Sequence, residues 1–187
     1  MIKKLCKNPI LSAHSFNVFY LSNVVIDCLP KNTLSKQQID DLLTAAVVHD
    51  IGKTTWPESL FRKSKNLLTK ADWDIIRAHP AIGANMLRET GRYSEETIRI
   101  VEQHHERPGG TGYPHKIEPD LPVIILAVCD IYSACVEFRK YRKKPLSHEE
   151  ALCEVGRFAP LNLIQILSTT RPKIQKMEEC IFHETCN

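Results

Sequence analysis

Apolar residues along the chain fall into runs whose starts and stops read as helices, and the signals for strands are weak. Ser35 with Gln38 forms a capping box ahead of IDDLLTAAVVHD, with Leu34 in the staple position. Thr69 with Asp72 starts a helix carrying Trp73, Ile75 and Ile76. Pro80 suits the first turn of a new helix, which places His79 at a junction between two helices. Ser94, followed by Glu95 and Glu96, opens a helix through Ile98, Val101 and His105. Pro122 opens an apolar helix through Ala127 and Asp130. Ser147 with Glu150 is a further capping box. VIILAV at 123–128 is the one strand rival, and its continuation through Asp130, Ile131 and Ala134 favours helix. Residues 53–68, with Arg62, Lys63 and Lys65, and residues 107–121, rich in Gly and Pro, read as irregular connections. Gly52 reads as the stop of the helix that ends in His49-Asp50. Ile174, Met177 and Ile181 share one helical face, so residues 161–187 are expected to form a C-terminal helical extension. No linker divides the chain, and the expectation is one all-α domain over residues 1–187.

Composition narrows the class. Apolar residues are 43% of the chain, enough to bury a core. A formal charge of +3 gives no basic field of the kind that binds DNA. The N-terminal MIKKLCKNPILSAH is broken by Pro9, Ser12 and His14 and is a poor signal peptide. The longest apolar run, Leu121 to Cys129, is too short to span a bilayer. The seven cysteines are odd in number and form no CxxC pair, and Cys129, Cys135 and Cys153 sit in apolar runs. A reducing, cytoplasmic setting fits them better than a disulfide framework, with pairing or metal binding by Cys180 and Cys186 as the exception left open.

The chemistry lies in histidines and aspartates. His49-Asp50 and His104-His105 are adjacent pairs near helix ends, where neighbouring side chains can turn toward one point. His14 and His79 sit on other helices, and Asp130 lies inside the most apolar segment. A lone carboxylate there is costly unless paired or metal-bound. Taken singly, each has an ordinary reading: a water-facing or arginine-paired aspartate, or a polar or core histidine. Together, five histidines and two aspartates are too many for one tetrahedral zinc. They suit a two-metal cluster, with ions roughly 3.5–4 Å apart, that supports phosphoryl hydrolysis. Imidazole and carboxylate without thiolate suit Fe, Mn, Co, Ni or Zn better than Ca or Mg.

HDIGK at 49–53, HPAIG at 79–83 and HHERPGGTGYP at 104–114 resemble the HD-GYP family, as do ILAVCDIYSA at 125–134 and FRKYR at 138–142. The resemblance covers about residues 10–160. It implies an HD-superfamily helical bundle of about 6–8 helices. It also implies a metal-dependent phosphodiesterase of bacterial signalling, which cleaves cyclic di-GMP to pGpG and onward to GMP through a metal-bridging hydroxide. The implied ligands are His14, His49, Asp50, His79, His104, His105 and Asp130, with Asp50 bridging. Two divalent ions are expected, iron or manganese first, with Co, Ni or Zn as alternatives. Asp50 and Lys53 are the implied catalytic residues, and Lys53 also meets the phosphate. Tyr113, Arg139 and Arg142 are the further implied substrate contacts, and Gly112, Tyr113 and Pro114 form the GYP loop.

Departures from the family pattern bear on these expectations. Ile10 stands where some members carry a glutamate for a third metal, which favours two ions. Gly109-Gly110 replaces Asp-Gly, Ser133 replaces the second aspartate of DVYDAL, and Lys140 replaces the proline of RPYR. Two other readings stand beside the enzyme: a silent module that binds a cyclic dinucleotide or a partner protein, and a general HD nucleotidase or phosphatase. A protein regulator is a further expected partner, since no sensory domain is visible in these residues.

Overall fold

The computed structural model describes residues 3, 5, 7–138 and 144–169. These residues form eight α-helices and no strand. They are α1 (Pro9–Cys28), α2 (Lys36–Val48), α3 (Glu58–Arg62), α4 (Lys70–Arg88), α5 (Glu95–Gln103), α6 (Leu121–Val136), α7 (His148–Val155) and α8 (Leu161–Thr169). Arg139, Arg142 and the tail from Arg171 lie outside the described residues.

Local chemistry starts the helices where the sequence places them. Asn8 caps α1 by accepting from the Ile10 and Leu11 amides, with Pro9 in the first turn. Ser35–Gln38, Thr69–Asp72 and Ser147–Glu150 all close as capping boxes. Ser94 caps α5, and Asp120 caps α6 just ahead of Pro122. The VIILAV run is helix, buried nearly all round, as befits a central element.

Three expectations are corrected. Pro80 does not start a new helix: α4 runs unbroken from Lys70 to Arg88 with Pro80 inside it. Proline removes the amide that would bond the Ile76 carbonyl. The His79 side chain supplies the missing donor, its Nδ1 lying 2.6 Å from that carbonyl. The segment 53–68 is not irregular throughout, since α3 sits between short 3-10 turns at Ile51–Thr55 and Lys65–Leu67. Gly52 is not the helix stop: α2 ends at Val48, and Gly52 lies inside the following 3-10 turn. It is required there by close approach, because a Cβ would collide with the His79 carbonyl and the Gly83 amide. The missing side chain lets the turn after α2 press directly onto α4.

Packing radiates from α6. It lies against α1, α2, α5 and α7, while α2 packs on α1 and α5, and α4 packs on α5. Leu21, Val25, Leu42, Ala45, Ile100, Ile125, Leu126 and Val128 are among the residues that fill the space between. Each large aliphatic chain buried this way contributes about 1.5–3 kcal/mol. A buried carboxylate also orders the frame. Asp41 on α2 accepts from Ser94 Oγ, from Thr97 Oγ1 at 2.9 Å and from Gln37 Nε2 at 3.0 Å. Burial alone would raise its pKa; these hydrogen bonds outweigh it and hold the carboxyl below its ordinary value. The start of α5 is thereby locked to α2, and the two helices end side by side at His104 and His49.

Candidate metal centre

The ends of α2 and α5 and the inner turns of α1, α4 and α6 meet at one buried point. His14 comes from α1, His49 caps α2, Asp50 follows it, His79 sits in α4, His104 caps α5 and Asp130 lies in α6. All six are at most 5% exposed. His105 follows His104 and is half-buried. The structure therefore brings together all seven residues that the sequence singled out.

Asp50 stands between two groups. Its Oδ2 faces His49 Nε2 at 3.5 Å and His14 Nε2 at 3.8 Å. Its Oδ1 faces His79 Nε2 at 3.3 Å and His104 Nε2 at 3.9 Å. Two sets have ligand atoms close enough to share an ion: His14, His49 and Asp50, and His79, His104 and His105. Asp130 Oδ1 adjoins the first set, 2.9 Å from His14 Nε2 and 3.8 Å from His49 Nε2.

Ring orientation follows from freed carbonyls. His49 Nδ1 lies 2.8 Å from the Ala46 carbonyl, and His104 Nδ1 lies 2.6 Å from that of Val101. Both carbonyls belong to a last helical turn, which leaves acceptors unused. Pro80 frees the equivalent acceptor for His79. A carbonyl only accepts, so all three rings carry the proton on Nδ1 and turn the Nε2 lone pair inward. His14 is held differently, with Nδ1 2.9 Å from Glu137 Oε1.

These atoms fit a metal better than they fit one another. His79 Nε2 and His104 Nε2 are 3.2 Å apart, yet both are acceptors and cannot bond each other. Two imidazole nitrogens bound side by side to one ion at about 2.1 Å would lie at about that separation. His49 Nε2 and Asp50 Oδ1 are buried without any hydrogen-bond partner. Such an orphan costs roughly 1–3 kcal/mol unless something else satisfies it. Electrostatics agree. Burial pushes the His49, His104 and His105 imidazoles down, toward the neutral form that ligates. Burial would raise Asp50 and Asp130. The Lys53 ammonium and then His49 outweigh it at Asp50, as the His14 hydrogen bond and then His49 do at Asp130, so both are held well below the usual carboxylate range. Two His/Asp clusters of this kind are consistent with a binuclear metal site.

Lys53 and the GYP loop, the remaining sequence-selected residues that the structure describes, lie beside the same point. Lys53 Nζ is 2.5 Å from Asp50 Oδ2 and 5.5 Å from the Trp56 ring centre. Tyr113 stacks on His105, with ring centres 4.7 Å apart and planes at 23°. Gly112 makes that possible, since a Cβ there would strike the backbone of His105, Glu106 and Arg107. Pro114 follows and leads the chain back past Glu106.

Three contributors were missed in the sequence. Glu106 is fully buried, and its carboxylate accepts from the amides of His115, Lys116 and Ile117, tying the loop after GYP to the double histidine. Its place beside His104-His105 was the available signal. Trp56 meets His79 edge-on at 5.7 Å and walls one side of the cluster; nothing in its polar segment marked it. Glu137 holds His14, and its place seven residues after Asp130 on the same helix face was visible in the sequence.

Comparison with known proteins follows the same lines. The HD domain family matches residues 4–157. The chain is 35% identical over 102 residues to a cyclic di-GMP phosphodiesterase of Pseudomonas aeruginosa, covering 53% of this chain and 24% of that protein. It is 30% identical over 142 residues to the 3'3'-cGAMP-specific phosphodiesterase 2 of Vibrio cholerae, covering 72% of this chain and 27% of that protein. The chain thus spans about a quarter of the length of these curated relatives. The fold matches an HDG"Y"P protein from Bdellovibrio bacteriovorus with a TM-score of 0.71 at 21% identity, covering 86% of this chain and 52% of that one.

Proposed function

The chain belongs to the HD domain family, and from that membership and its ligand cluster we propose that it is a metal-dependent phosphodiesterase acting on cyclic dinucleotides. Cyclic di-GMP is the first substrate to test and 3'3'-cGAMP the second, since relatives named for each match 53% and 72% of this chain. The observation that carries the reading is Asp50, whose two oxygens face two different histidine groups while one of them has no hydrogen-bond partner.

His14, His49, Asp50 and Asp130 would hold one ion, and Asp50, His79, His104 and His105 the other. Iron or manganese suits this donor set. When bound, the ions lower the proton affinity of a water and offset charge on the phosphodiester. In the reaction water adds to phosphorus, the bond to the ribose 3′ oxygen breaks, and that oxygen leaves with a proton. Cyclic di-GMP would give pGpG, and a second cleavage would give GMP.

The chain's own groups do the positioning. Asp50 fixes the spacing of the two halves of the site. The backbone-anchored imidazoles hold their lone pairs inward before substrate arrives, so little reorganisation is needed. Lys53, on the wall shared with Trp56, places an ammonium where a phosphate oxygen would sit once Asp50 is engaged elsewhere. The stack of Tyr113 on His105 keeps that ring from turning out. Arg139 and Arg142 remain proposed contacts for the second phosphate or a base. The odd number of cysteines and the lack of a CxxC pair in the sequence support a cytoplasmic setting. No described helix is long and apolar enough to cross a membrane.

The test is purified chain loaded with Mn(II) or Fe(II), incubated separately with cyclic di-GMP and 3'3'-cGAMP, with products resolved by chromatography. Linear dinucleotide from at least one substrate, lost on chelation, is expected. Binding of the ligand without turnover under every metal would instead identify a silent module.

A further inference from the structure

We infer that Glu137 is the positioning residue for His14, supplying from one turn further along α6 the carboxylate that position 133 lacks. The inference rests on the metal reading above. His49, His79 and His104 each find a backbone carbonyl for Nδ1 because a helix end or Pro80 leaves one free. His14 has no such help. It is well inside α1, where carbonyls are taken up by the helix itself. Its Nδ1 needs a side-chain acceptor, and Glu137 Oε1 provides it at 2.9 Å.

The same oxygen gathers two more donors, Asn17 Nδ2 at 3.1 Å and Ser133 Oγ at 2.7 Å. Glu137 is 6% exposed, so these bonds are made away from water, where a charged acceptor counts most. Asp130 and Ser133 on α6 and Glu137 at its C-cap follow at spacings of three and four. Asp130 therefore meets Nε2 of His14 while Glu137 meets Nδ1. One helix grips both nitrogens of one ring. The proton on Nδ1 is kept by Glu137, and an ion held between Nε2 and Asp130 would replace their direct contact. Such outer carboxylates orient a ligand histidine and raise its basicity.

Ser133 stands where the DVYDAL pattern has an aspartate, and its hydroxyl donates to Glu137. An aspartate reaches one atom further than a serine. A carboxylate at 133 would bring its oxygen close to where Glu137 Oε1 now lies. Here a hydroxyl at 133 and a carboxylate at 137 meet where that pattern has a carboxylate at 133.

The experiment titrates metal-free protein with Mn(II) by calorimetry, using wild type, E137Q and the double variant S133D/E137S. Wild type is expected to show two binding events. E137Q should weaken one of them by about tenfold or more and leave the other unchanged. S133D/E137S should recover the lost affinity, which a merely structural role would not explain. An E137Q titration that superimposes on wild type overturns the inference, as does a folded double variant with no recovery. Unfolding of metal-free E137Q, seen by circular dichroism, also overturns it, since the residue would then be part of the scaffold. Wild type that takes up no Mn(II) overturns the metal reading itself, whereas wild type with two events and unaltered E137Q overturns this inference alone.

Discussion

The ammonium of Lys53 sits 2.5 Å from Asp50 Oδ2, so in this structure it offsets a carboxylate rather than a phosphate. Charge on Asp50 that is shared with two ions would loosen that pair and free Lys53 for the substrate. Lys53→Met should therefore lower turnover by about 10²–10³-fold, as loss of one preorganised charge-stabilising donor does. Metal content should stay at the wild-type level. Steady-state kinetics beside elemental analysis checks both, and loss of the ions together with activity would mean that Lys53 only holds Asp50. At this scale the proposed ligands were legible in the sequence because His49-Asp50 and His104-His105 are adjacent pairs and Asp130 is a charge in an apolar run. The groups that aim them were not. Ala46, Ile76 and Val101 act through carbonyls that every residue has, and only the helix ends and Pro80 set them free.

Helix starts carry a second test, because α4 bears His79 and its N-terminus depends on one carboxylate. Asp72 accepts from the Thr69 amide and hydroxyl and pairs with Lys63 at 2.5 Å. The Lys63 hydrogen bond first, and those from Thr69 next, pull its pKa from 3.8 to about 2. A depressed carboxylate contributes stability that is present above its unfolded pKa and is lost as pH falls toward its folded one. The loss from this residue therefore falls between 3.8 and about 2. Wild type should lose more of its melting temperature than Asp72→Asn as pH is lowered from about 5 to about 3. Equal losses in the two chains would show that the cap is not coupled to folding. The capping boxes at Ser35, Thr69 and Ser147 were all legible, since a cap is a local event between residues three apart. Pro80 misled because its rule counts backbone donors alone. Its local rule says start or break, and a neighbouring side chain repaired the break.

Across the whole molecule, the apolar core and the candidate metal centre meet on α6, whose Leu126 and Val128 are core and whose Asp130 is a proposed ligand. An all-helical bundle was legible from periodicity and a shared cluster from the residue types, but which five helices converge came with the family resemblance, because spacing along the chain does not say which elements meet. Gly52 shows why: its contact with His79 and Gly83 is a tertiary fact written as a missing side chain. The account's central claim is that Asp50 joins two metal sites in one chain. Elemental analysis of metal-reconstituted, desalted wild type beside Asp50→Ala measures it directly. About two ions per chain in wild type and fewer than one in the variant are expected for a two-metal cluster sharing one carboxylate. Wild type without metal, or a variant that keeps both ions, would contradict it.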